Sequence, residues 1–276
     1  MAAVPDGAPG LAPGDRRALA KAITLVESTR PSDRPAARRL VASAAAGSSP
    51  AVRIGISGPP GAGKSTLIEA LGNHILDMGH RIAVLAVDPT STVTGGSILG
   101  DKTRMVTLAR RPEAFVRPSP AGTTLGGVAR RTRECIVLCE AYGADVVIVE
   151  TVGVGQSEVA VAGMTDVFVL LAPPGGGDDL QGIKRGVMEL ADLVVVTKCD
   201  GDLAAAAQRT VADHRAAVRL LARRDLDVMP TVRAVSAVTG EGIAELWQAV
   251  MGVHAALEAS GALEGRRARQ RVAWMW

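Results

Sequence analysis

The chain has 276 residues, of which 47% are hydrophobic, 21% charged and only 2% aromatic. This length is sufficient to bury one sizeable core, whereas two Phe, one Tyr and three Trp cannot supply stacking platforms for single-stranded nucleic acid. The formal net charge of +3 is too small to indicate a nucleic-acid partner. Arginine pairs stand at 16–17, 38–39, 130–131 and 266–267, and we interpret them as solvated helix faces.

The sequence contains no feature of secretion or membrane insertion. Three cysteines without a C-x-x-C pair indicate a reducing compartment. The first residues hold no apolar run of signal-peptide length, and Asp6 and Asp15 argue against a transit peptide. No stretch approaches the ~20 apolar residues that a membrane span needs. We therefore expect a cytoplasmic protein without a membrane or nucleic-acid partner.

The N-terminal part predicts a helical arm. Residues 1–14 are rich in Ala, Pro and Gly, which is typical of a disordered terminus. From Asp15, a candidate N-cap, apolar residues recur at helical spacing. A second predicted helix at 34–46 ends in a Gly-Ser-Ser-Pro linker. We assign 15–49 to this arm.

After Pro50, short apolar strands alternate with helices. The predicted strands are 52–57, 81–87, 144–150, 166–172, 193–197 and 231–236, with a short candidate at 115–116. The predicted helices are 64–78, 126–142, 202–224, 240–257 and a last basic helix at 264–276, with shorter ones after residue 155 and between 172 and 193. This alternation predicts an α/β fold with a doubly wound, mostly parallel sheet, here assigned to 50–258, followed by a C-terminal basic helix at 259–276.

A glycine-rich sequence joins the first predicted strand to the helix that follows it. It reads Gly58-Pro59-Pro60-Gly61-Ala62-Gly63-Lys64-Ser65-Thr66 and matches the P-loop motif G-x-x-x-x-G-K-[ST] without a mismatch. Glycines let backbone N–H groups turn inward around a polyphosphate, and the helix N-terminus adds its positive dipole end. Lys64 can then reach the terminal phosphates, and Ser65 can ligate Mg²⁺. A P-loop alone does not select the base or the reaction.

Acidic residues follow two predicted strands at the edge of the sheet that carries the P-loop. Asp88 and Glu150 each come directly after an apolar strand, and carboxylates at such positions collect in the ligand crevice of doubly wound sheets. Their hard oxygen atoms suit Mg²⁺. Asp101 is a less direct candidate, since it lies in a polar loop. Helix caps or solvated loop positions are the alternative interpretation.

A second motif points to guanine. Thr197-Lys198-Cys199-Asp200 follows a buried strand late in the domain, where a carboxylate can accept hydrogen bonds from the ring N–H and the exocyclic amine of guanine. Adenine cannot offer that pattern. Ser236-Ala237-Val238 follows the next strand, where a backbone N–H can meet the guanine oxygen. A lone T-K-x-D motif is weak evidence for guanine binding, but its position late in the domain, after a P-loop, strengthens that evidence.

Taken together, these motifs resemble the metallochaperone group of P-loop GTPases, and within it the methylmalonyl-CoA mutase-associated GTPases, also called arginine/ornithine (LAO/AO) transport ATPases. The blocks that carry the resemblance are GPPGAGKST at 58–66, VDPTSTVTGGSILGDKTRM at 87–105, RPSPAGTTLGGVARRTRE at 117–134, ETVGVGQSE at 150–158, DDLQGIKRG at 178–186, TKCDGDL at 197–203 and VSAVTGEGI at 235–243. The resemblance extends from about residue 15 to Trp276.

The resemblance implies roles for individual residues. Lys64 and Ser65 would contact phosphate and Mg²⁺, while Asp88, Asp101 and Glu150 would serve the metal and the attacking water. Residues 88–105 and 150–158 would be two nucleotide switches. The loop 174–186 would be a third switch that faces a partner enzyme, and the partner-facing residues would be Asp178 and Lys184.

The resemblance also implies a task. GTP binding and hydrolysis would gate the loading of adenosylcobalamin onto methylmalonyl-CoA mutase, or a related acyl-CoA mutase, and protect that enzyme. This sequence has no corrin-binding D-x-H-x-x-G, so cobalamin would belong to the partner. Thr197 stands where the family usually has Asn, so guanine selectivity would depend more on Asp200. The family's dimerisation arm follows the Trp-Met-Trp at which this sequence stops, which leaves a homodimer in doubt.

Two other functions stay open. A transport-linked ATPase or nucleotide kinase would be indifferent to guanine and would need an acceptor pocket. A nickel metallochaperone of the same group would be expected to have a His-rich tail or a Cys/His pair near the P-loop, and the sequence has neither. Substitution of Asp200 distinguishes the first alternative from a GTPase: it should abolish the preference for GTP in a GTPase and have little effect in a transport-linked ATPase or kinase.

Overall fold

A computed structural model of the chain describes residues 11–87, 105–117, 125–151, 157–175, 185–221 and 229–275. Its strands are β1 Val52–Ser57, β2 Ile82–Val87, β3 Ala114–Arg117, β4 Val146–Thr151, β5 Val167–Ala172, β6 Leu193–Val196 and β7 Thr231–Ala234. Its α-helices are α1 Arg16–Glu27, α2 Arg34–Gly47, α3 Lys64–Asp77, α4 Val106–Arg110, α5 Leu125–Tyr142, α6 Ser157–Ala162, α7 Arg185–Met188, α8 Ala204–Leu221, α9 Ile243–Ala259 and α10 Ala262–Met275. Short 3-10 turns cover Pro31–Asp33 and Gly201–Leu203.

The seven strands described form one parallel sheet in the order β3-β2-β4-β1-β5-β6-β7. The chain therefore leaves β1 at the middle of the sheet and builds outward in both directions, which confirms the predicted doubly wound fold. Because all strands run the same way, their carboxyl ends share one edge, where ligands bind in such sheets. Each predicted strand is present in the structure, and its ends lie within two residues of the predicted ends. The helix α4 was not predicted.

Both faces of the sheet are covered by helices, which is why its strands are apolar along nearly their whole length. One face packs against α1, α2, α5 and α8, and a continuous buried cluster includes Leu19, Ile23, Leu138 and Val211. The other face packs against α3, α4 and α9 through residues such as Leu67, Leu108 and Leu246. Aliphatic side chains dominate both layers, as the low aromatic content requires.

The N-terminal arm packs onto the sheet layer through α5. The prediction that Asp15 caps the first helix is confirmed, since its Oδ1 accepts hydrogen bonds from the backbone N–H groups of Arg17 and Ala18, each at 2.9 Å. Leu40 and Val41 of α2 are buried in the same cluster as α1. The boundaries assigned to the arm and to the two flanking regions stay a prediction.

One interpretation of the arginine pairs is wrong. Arg266 and Arg267 on α10 are not solvated, because both guanidinium groups form two-pronged ion pairs with carboxylates at the amino ends of strands. Arg266 binds Asp192 at 2.9 and 3.1 Å, and Arg267 binds Asp166 at 2.8 and 2.6 Å. The sequence pattern could not show this, because the acidic partners lie 74 and 101 residues away.

Two further expectations concern membrane-spanning helices and the state of the cysteines. Among the residues that the structure describes, no helix is long and apolar enough to cross a membrane. Cys135 and Cys139 are buried on α5, and Cys199 is partly buried; all three are free thiols.

Candidate functional site

The P-loop connects β1 to α3 at the carboxyl edge of the sheet, as its motif predicts. Gly63 caps the start of α3 with φ +87°, a left-handed conformation that favours glycine. Gly58 is required for a different reason: a Cβ there would lie 2.8 Å from the Leu171 carbonyl oxygen on β5. The two glycines therefore allow the loop to turn tightly against the neighbouring strand.

Lys64 lies within the curve of this loop and is only 9% exposed. Its ammonium group donates hydrogen bonds to the carbonyl oxygens of Gly58 and Pro59, at 2.8 and 3.1 Å. The positive charge is therefore held at the centre of the loop, where it faces any anion that the backbone N–H groups bind. A buried lysine needs such partners, because isolated burial of an ammonium is costly.

Ser65 and Glu150 meet beside the P-loop. The Ser65 hydroxyl donates to Glu150 Oε1 at 3.2 Å, and Glu150, near the end of β4, is 3% exposed. The next residues along the edge, Ser57 and Thr151, share a hydrogen bond of 2.9 Å between their hydroxyl groups. Hydroxyl and carboxylate oxygens are the donor atoms that Mg²⁺ prefers, so this pair fits that ion.

Thr197 connects the second motif to the P-loop. Its hydroxyl donates to the carbonyl oxygen of Ala62 at 2.7 Å, and both residues are buried. The stem of Lys198 passes beside Gly63, where an added Cβ would lie 3.9 Å from Lys198 Cε. Lys198 itself has φ +55°, an uncommon conformation for a non-glycine residue. Sequence reasoning missed this link, since only the fold shows that the residue at 197 reaches the P-loop.

Asp200 is positioned by Ser236. The Ser236 hydroxyl donates to Asp200 Oδ2, and the backbone N–H of Thr239 donates to the same hydroxyl oxygen at 3.1 Å. The turn ends at Gly242, where a Cβ would approach the Ala234 carbonyl oxygen to 2.3 Å at φ +77°. The tight turn after β7 thus holds the serine against the carboxylate, a contact that the two sequence motifs did not predict.

Cys199 lies next to these residues as a neutral thiol. Burial raises the pKa of its thiol, and the negative charges of Asp200 and Glu241 add to this effect, while a backbone hydrogen bond from Val235 opposes it. The thiol donates to the Val196 carbonyl oxygen at 3.2 Å. The Cys199 thiol is therefore a partly buried, hydrogen-bonded side chain.

The structure brings together most of the predicted site residues. Buried ones are Gly58, Ala62, Lys64, Glu150, Thr197 and Ser236; partly exposed ones are Pro59, Gly63, Ser65, Asp200 and Ala237; exposed ones are Pro60, Gly61, Thr66, Lys198 and Val238. Four predicted residues lie outside the described part of the chain, namely Asp88, Asp101, Asp178 and Lys184. The structure therefore describes one of the three predicted carboxylates around the metal.

A sequence profile described as methylmalonyl-CoA mutase-associated GTPase MeaB matches residues 19–276. The chain belongs to the MeaB family. Relatives include a probable GTPase of Mycobacterium tuberculosis, which is 56% identical over 95% of this chain and 78% of its own length. The mitochondrial methylmalonic aciduria type A homolog of Mus musculus is 52% identical over 97% and 67% of the two chains. GTPase ArgK of Escherichia coli is 49% identical over 95% and 79%.

Solved structures agree with this assignment. A crystal structure of an LAO/AO transport system kinase has a TM-score of 0.84 and 38% identity, covering 99% of this chain and 84% of that one. The hydrogenase maturation factor HypB of Archaeoglobus fulgidus shares the fold, with a TM-score of 0.53 at 21% identity over 85% of this chain and 99% of that one. The protein is therefore a P-loop GTPase, and the family resemblance drawn from its motifs is confirmed.

Proposed function

We propose that this GTPase is a chaperone that gates the loading of adenosylcobalamin onto methylmalonyl-CoA mutase, or a related cobalamin-dependent acyl-CoA mutase, and protects that enzyme. The observation that carries the proposal is the match to the mutase-associated family over residues 19–276. The name of the mouse relative, methylmalonic aciduria type A homolog, supports the same connection. In this proposal the mutase, and not this chain, holds the cobalamin.

The phosphate end of the site supports Mg²⁺-dependent hydrolysis. The P-loop N–H groups and Lys64 would hold the phosphates of GTP, and Ser65 and Glu150 would offer oxygen ligands to Mg²⁺. The metal would neutralise charge on the phosphates, which is the main requirement of phosphoryl transfer. Asp88 and Asp101 complete the proposed set of metal and catalytic residues.

The base end of the site supports a guanine nucleotide. Asp200 would accept hydrogen bonds from the guanine ring N–H and amine, while Ser236 orients its carboxylate. Backbone N–H groups of Ala237 and Val238 lie in the turn that would face the guanine oxygen. Thr197 would hold this end against the P-loop.

The decisive substitution is Asp200→Asn. An amide at this position offers an N–H toward the base, so it should reject guanine and accept xanthine, which carries an oxygen in place of the amine. We expect the preference for GTP over xanthosine triphosphate to fall by at least about a hundredfold, because a site built to pair with a hydrogen-bonding group rejects ligands that lack it. Nucleotide competition by titration calorimetry measures the change. Asp202→Asn, two residues further along in the exposed turn, is the matched control and should leave the preference unchanged.

The chaperone role is tested separately by adding purified methylmalonyl-CoA mutase. We expect faster GTP hydrolysis, and cobalamin transfer to the mutase that depends on GTP. A base preference that changes as expected, with no effect of any cobalamin-dependent mutase, would contradict the chaperone role while leaving the GTPase intact. Hydrolysis of ATP that is indifferent to Asp200→Asn would favour the transport-linked ATPase or kinase instead.

A further inference from the structure

One arginine pair noted in the sequence, Arg130-Arg131, meets Arg38 of a second pair in a pocket that the GTPase site does not use. The pocket has a volume of about 310 Å³ and lies between the end of α1, the start of α2 and the N-terminal half of α5. Four arginines line it, Arg34 and Arg38 from α2 and Arg130 and Arg131 from α5, against a single acidic side chain, Glu134. Its lining therefore carries a formal surplus of three positive charges.

Only one of the four pocket arginines forms an ion pair within the described part of the chain. Glu134 forms an ion pair with Arg130 at 3.5 Å, and that arginine side chain remains 59% exposed. In the described part of the chain, Arg34, Arg38 and Arg131 form no hydrogen bond or ion pair within 4.0 Å. Three donor groups of the kind that bind carboxylate and phosphate with two parallel hydrogen bonds are thus available in one concave site.

Electrostatics show that these groups converge. Burial raises the pKa of Glu134, and the charges of Arg130, Arg131 and Arg38 oppose that rise. Three guanidinium groups from two helices are therefore within electrostatic reach of one half-buried carboxylate. Glu27, at the end of α1, is bound by Arg117 at 2.5 Å. Burial raises the pKa of Glu27, and Arg131 is the pocket arginine whose charge, together with Arg117, opposes that rise.

The floor of the pocket is apolar. Leu25 and Val26 of α1 and Ala37 of α2 line it between the arginines, and Ser28 adds one hydroxyl group. A volume near 300 Å³ is at the lower limit of the usual range for small-molecule sites. An apolar floor with charged walls suits a small organic anion better than a simple inorganic ion.

The pocket lies at the functional edge of the sheet. Arg117 is the last residue of β3, and its bond to Glu27 places the end of α1 at the carboxyl ends of the strands. Since α5 follows β3, its first turns are at that edge too. In the sheet order, β3 is three strands from β1, whose carboxyl end carries the P-loop. The pocket is thus on the same side of the molecule as the nucleotide site but separate from it.

We propose that this arginine pocket, formed by Arg34, Arg38, Arg130 and Arg131, binds a small organic polyanion with at least two phosphoryl or carboxylate groups. The anion is a second ligand, distinct from the guanine nucleotide. Its charged groups bind the guanidinium forks, and its carbon body covers the apolar floor. The proposal does not depend on the mutase partner.

The test uses the full chain saturated with GDP and Mg²⁺, so that the probes cannot occupy the P-loop. An organic bisphosphate, fructose 1,6-bisphosphate, and citrate are titrated separately by calorimetry, each with Mg²⁺ in excess over the probe. We expect one or both to bind, and Arg38→Glu to weaken that binding by about tenfold or more, because a charge-assisted hydrogen bond is lost and a repulsive charge is added. Arg39→Glu is the matched control, because Arg39 is exposed on the same helix outside the pocket, and it should change binding less than about threefold.

Each outcome decides between alternatives. Stronger binding of fructose 1,6-bisphosphate identifies a phosphoryl ligand, and stronger binding of citrate identifies a carboxylate ligand; either result supports the pocket. Equal weakening by Arg38→Glu and Arg39→Glu would show general surface charge and overturn it, as would absence of binding by both probes. A hexaglutamate peptide that binds when neither small anion does would replace it with a surface for an acidic protein segment. Arg34→Glu is a second variant, and circular dichroism and GTP hydrolysis verify folding.

Discussion

Thr197 illustrates how one side chain can serve two parts of a site. The hydroxyl of this residue donates to the Ala62 carbonyl oxygen at 2.7 Å, so the motif proposed to face the base is joined to the P-loop, which is proposed to face the phosphates. That guanine selectivity depends more on Asp200, because Thr stands where the family usually has Asn, stays a prediction. The structure shows that the Thr197 hydroxyl forms a buried link, because β6 ends close enough to the P-loop for a short side chain to reach it.

The first prediction concerns this link. Thr197→Val keeps the shape of the side chain but leaves the buried Ala62 carbonyl without its donor. We expect the free energy of unfolding to fall by about 1–3 kcal/mol, with a weaker affinity for GDP, since an unsatisfied buried acceptor carries its full desolvation cost. Chemical denaturation and nucleotide titration measure the two effects.

The matched control is Thr24→Val. That hydroxyl donates to the Ala20 carbonyl oxygen at 2.8 Å and accepts a hydrogen bond from Arg117 at 3.3 Å, both on the exposed side of α1, where water can replace the hydroxyl. The substitution should change the free energy of unfolding by less than about 0.5 kcal/mol and leave GDP affinity unchanged. Similar losses in the two variants would mean that the P-loop link has no special role.

At the scale of elements, α10 shows how a helix is attached to a sheet by charge. Asp166 and Asp192 precede β5 and β6, and each also accepts a backbone hydrogen bond, from Arg53 at 2.9 Å and from Phe168 at 2.8 Å. Arg267 also binds the Asp166 carboxylate, which is fully buried. The helix is therefore anchored at the amino edge of the sheet, opposite the nucleotide site.

The second prediction follows from this anchor. Arg267→Ala should lower the free energy of unfolding by about 3–5 kcal/mol, because it leaves the buried Asp166 carboxylate without its guanidinium partner. His254 Nε2, at 3.9 Å from Asp166 Oδ2, is too distant to replace the two hydrogen bonds of the arginine. Burial alone would lower the pKa of Arg267, but the hydrogen bonds and charge of Asp166 raise it overall, so the arginine stays charged in the folded state. Urea denaturation followed by circular dichroism measures the loss.

Arg271→Ala on the same helix is the control. Arg271 pairs with Glu264 at 2.6 Å, but the two side chains are 59% and 73% exposed. Exposed ion pairs contribute little to stability, because solvent screens them, so this variant should be close to the parent protein in stability. A loss as large as that of Arg267→Ala would show that the helix, rather than the buried carboxylate, determines the effect.

At the scale of the whole molecule, the third prediction is that stability depends on pH through His214. This residue is 3% exposed on α8, and burial lowers its pKa, while the charge of Asp213 opposes the shift. Below a pH of about 6.5, the ordinary histidine pKa, the unfolded chain binds a proton that the folded chain resists. The stabilisation is therefore present near neutral pH and is lost as the pH falls.

His214→Leu removes this proton linkage. We expect the free energy of unfolding of the parent protein to fall more steeply between about pH 7 and pH 5 than that of the variant. Denaturation curves at several pH values compare the two slopes. Parallel slopes would show that carboxylates alone produce the acid sensitivity.

The nucleotide site was predictable from sequence because its elements are local. The P-loop needs glycines, a lysine and a serine at fixed spacing between a strand and a helix, so Gly63, Lys64 and Ser65 are evident in nine consecutive residues. Glu150 and Asp200 were predictable because parallel strands bring their carboxyl ends to one edge. The helix α4 was not predicted, since its five residues have too little periodicity to be detected.

The environments of the arginine pairs, by contrast, were not predictable from local sequence patterns. The sequence by itself determined the doubly wound fold and the GTPase motifs, since hydrophobic period and motif spacing are properties of neighbouring residues. Only the tertiary structure decided that Arg267 is buried against Asp166, whereas Arg38 and Arg131 line an open pocket. Adjacent arginines look alike in a sequence, and their environment depends on which distant element packs against them. Contacts across 74 or 101 residues are formed by folding and leave no local pattern.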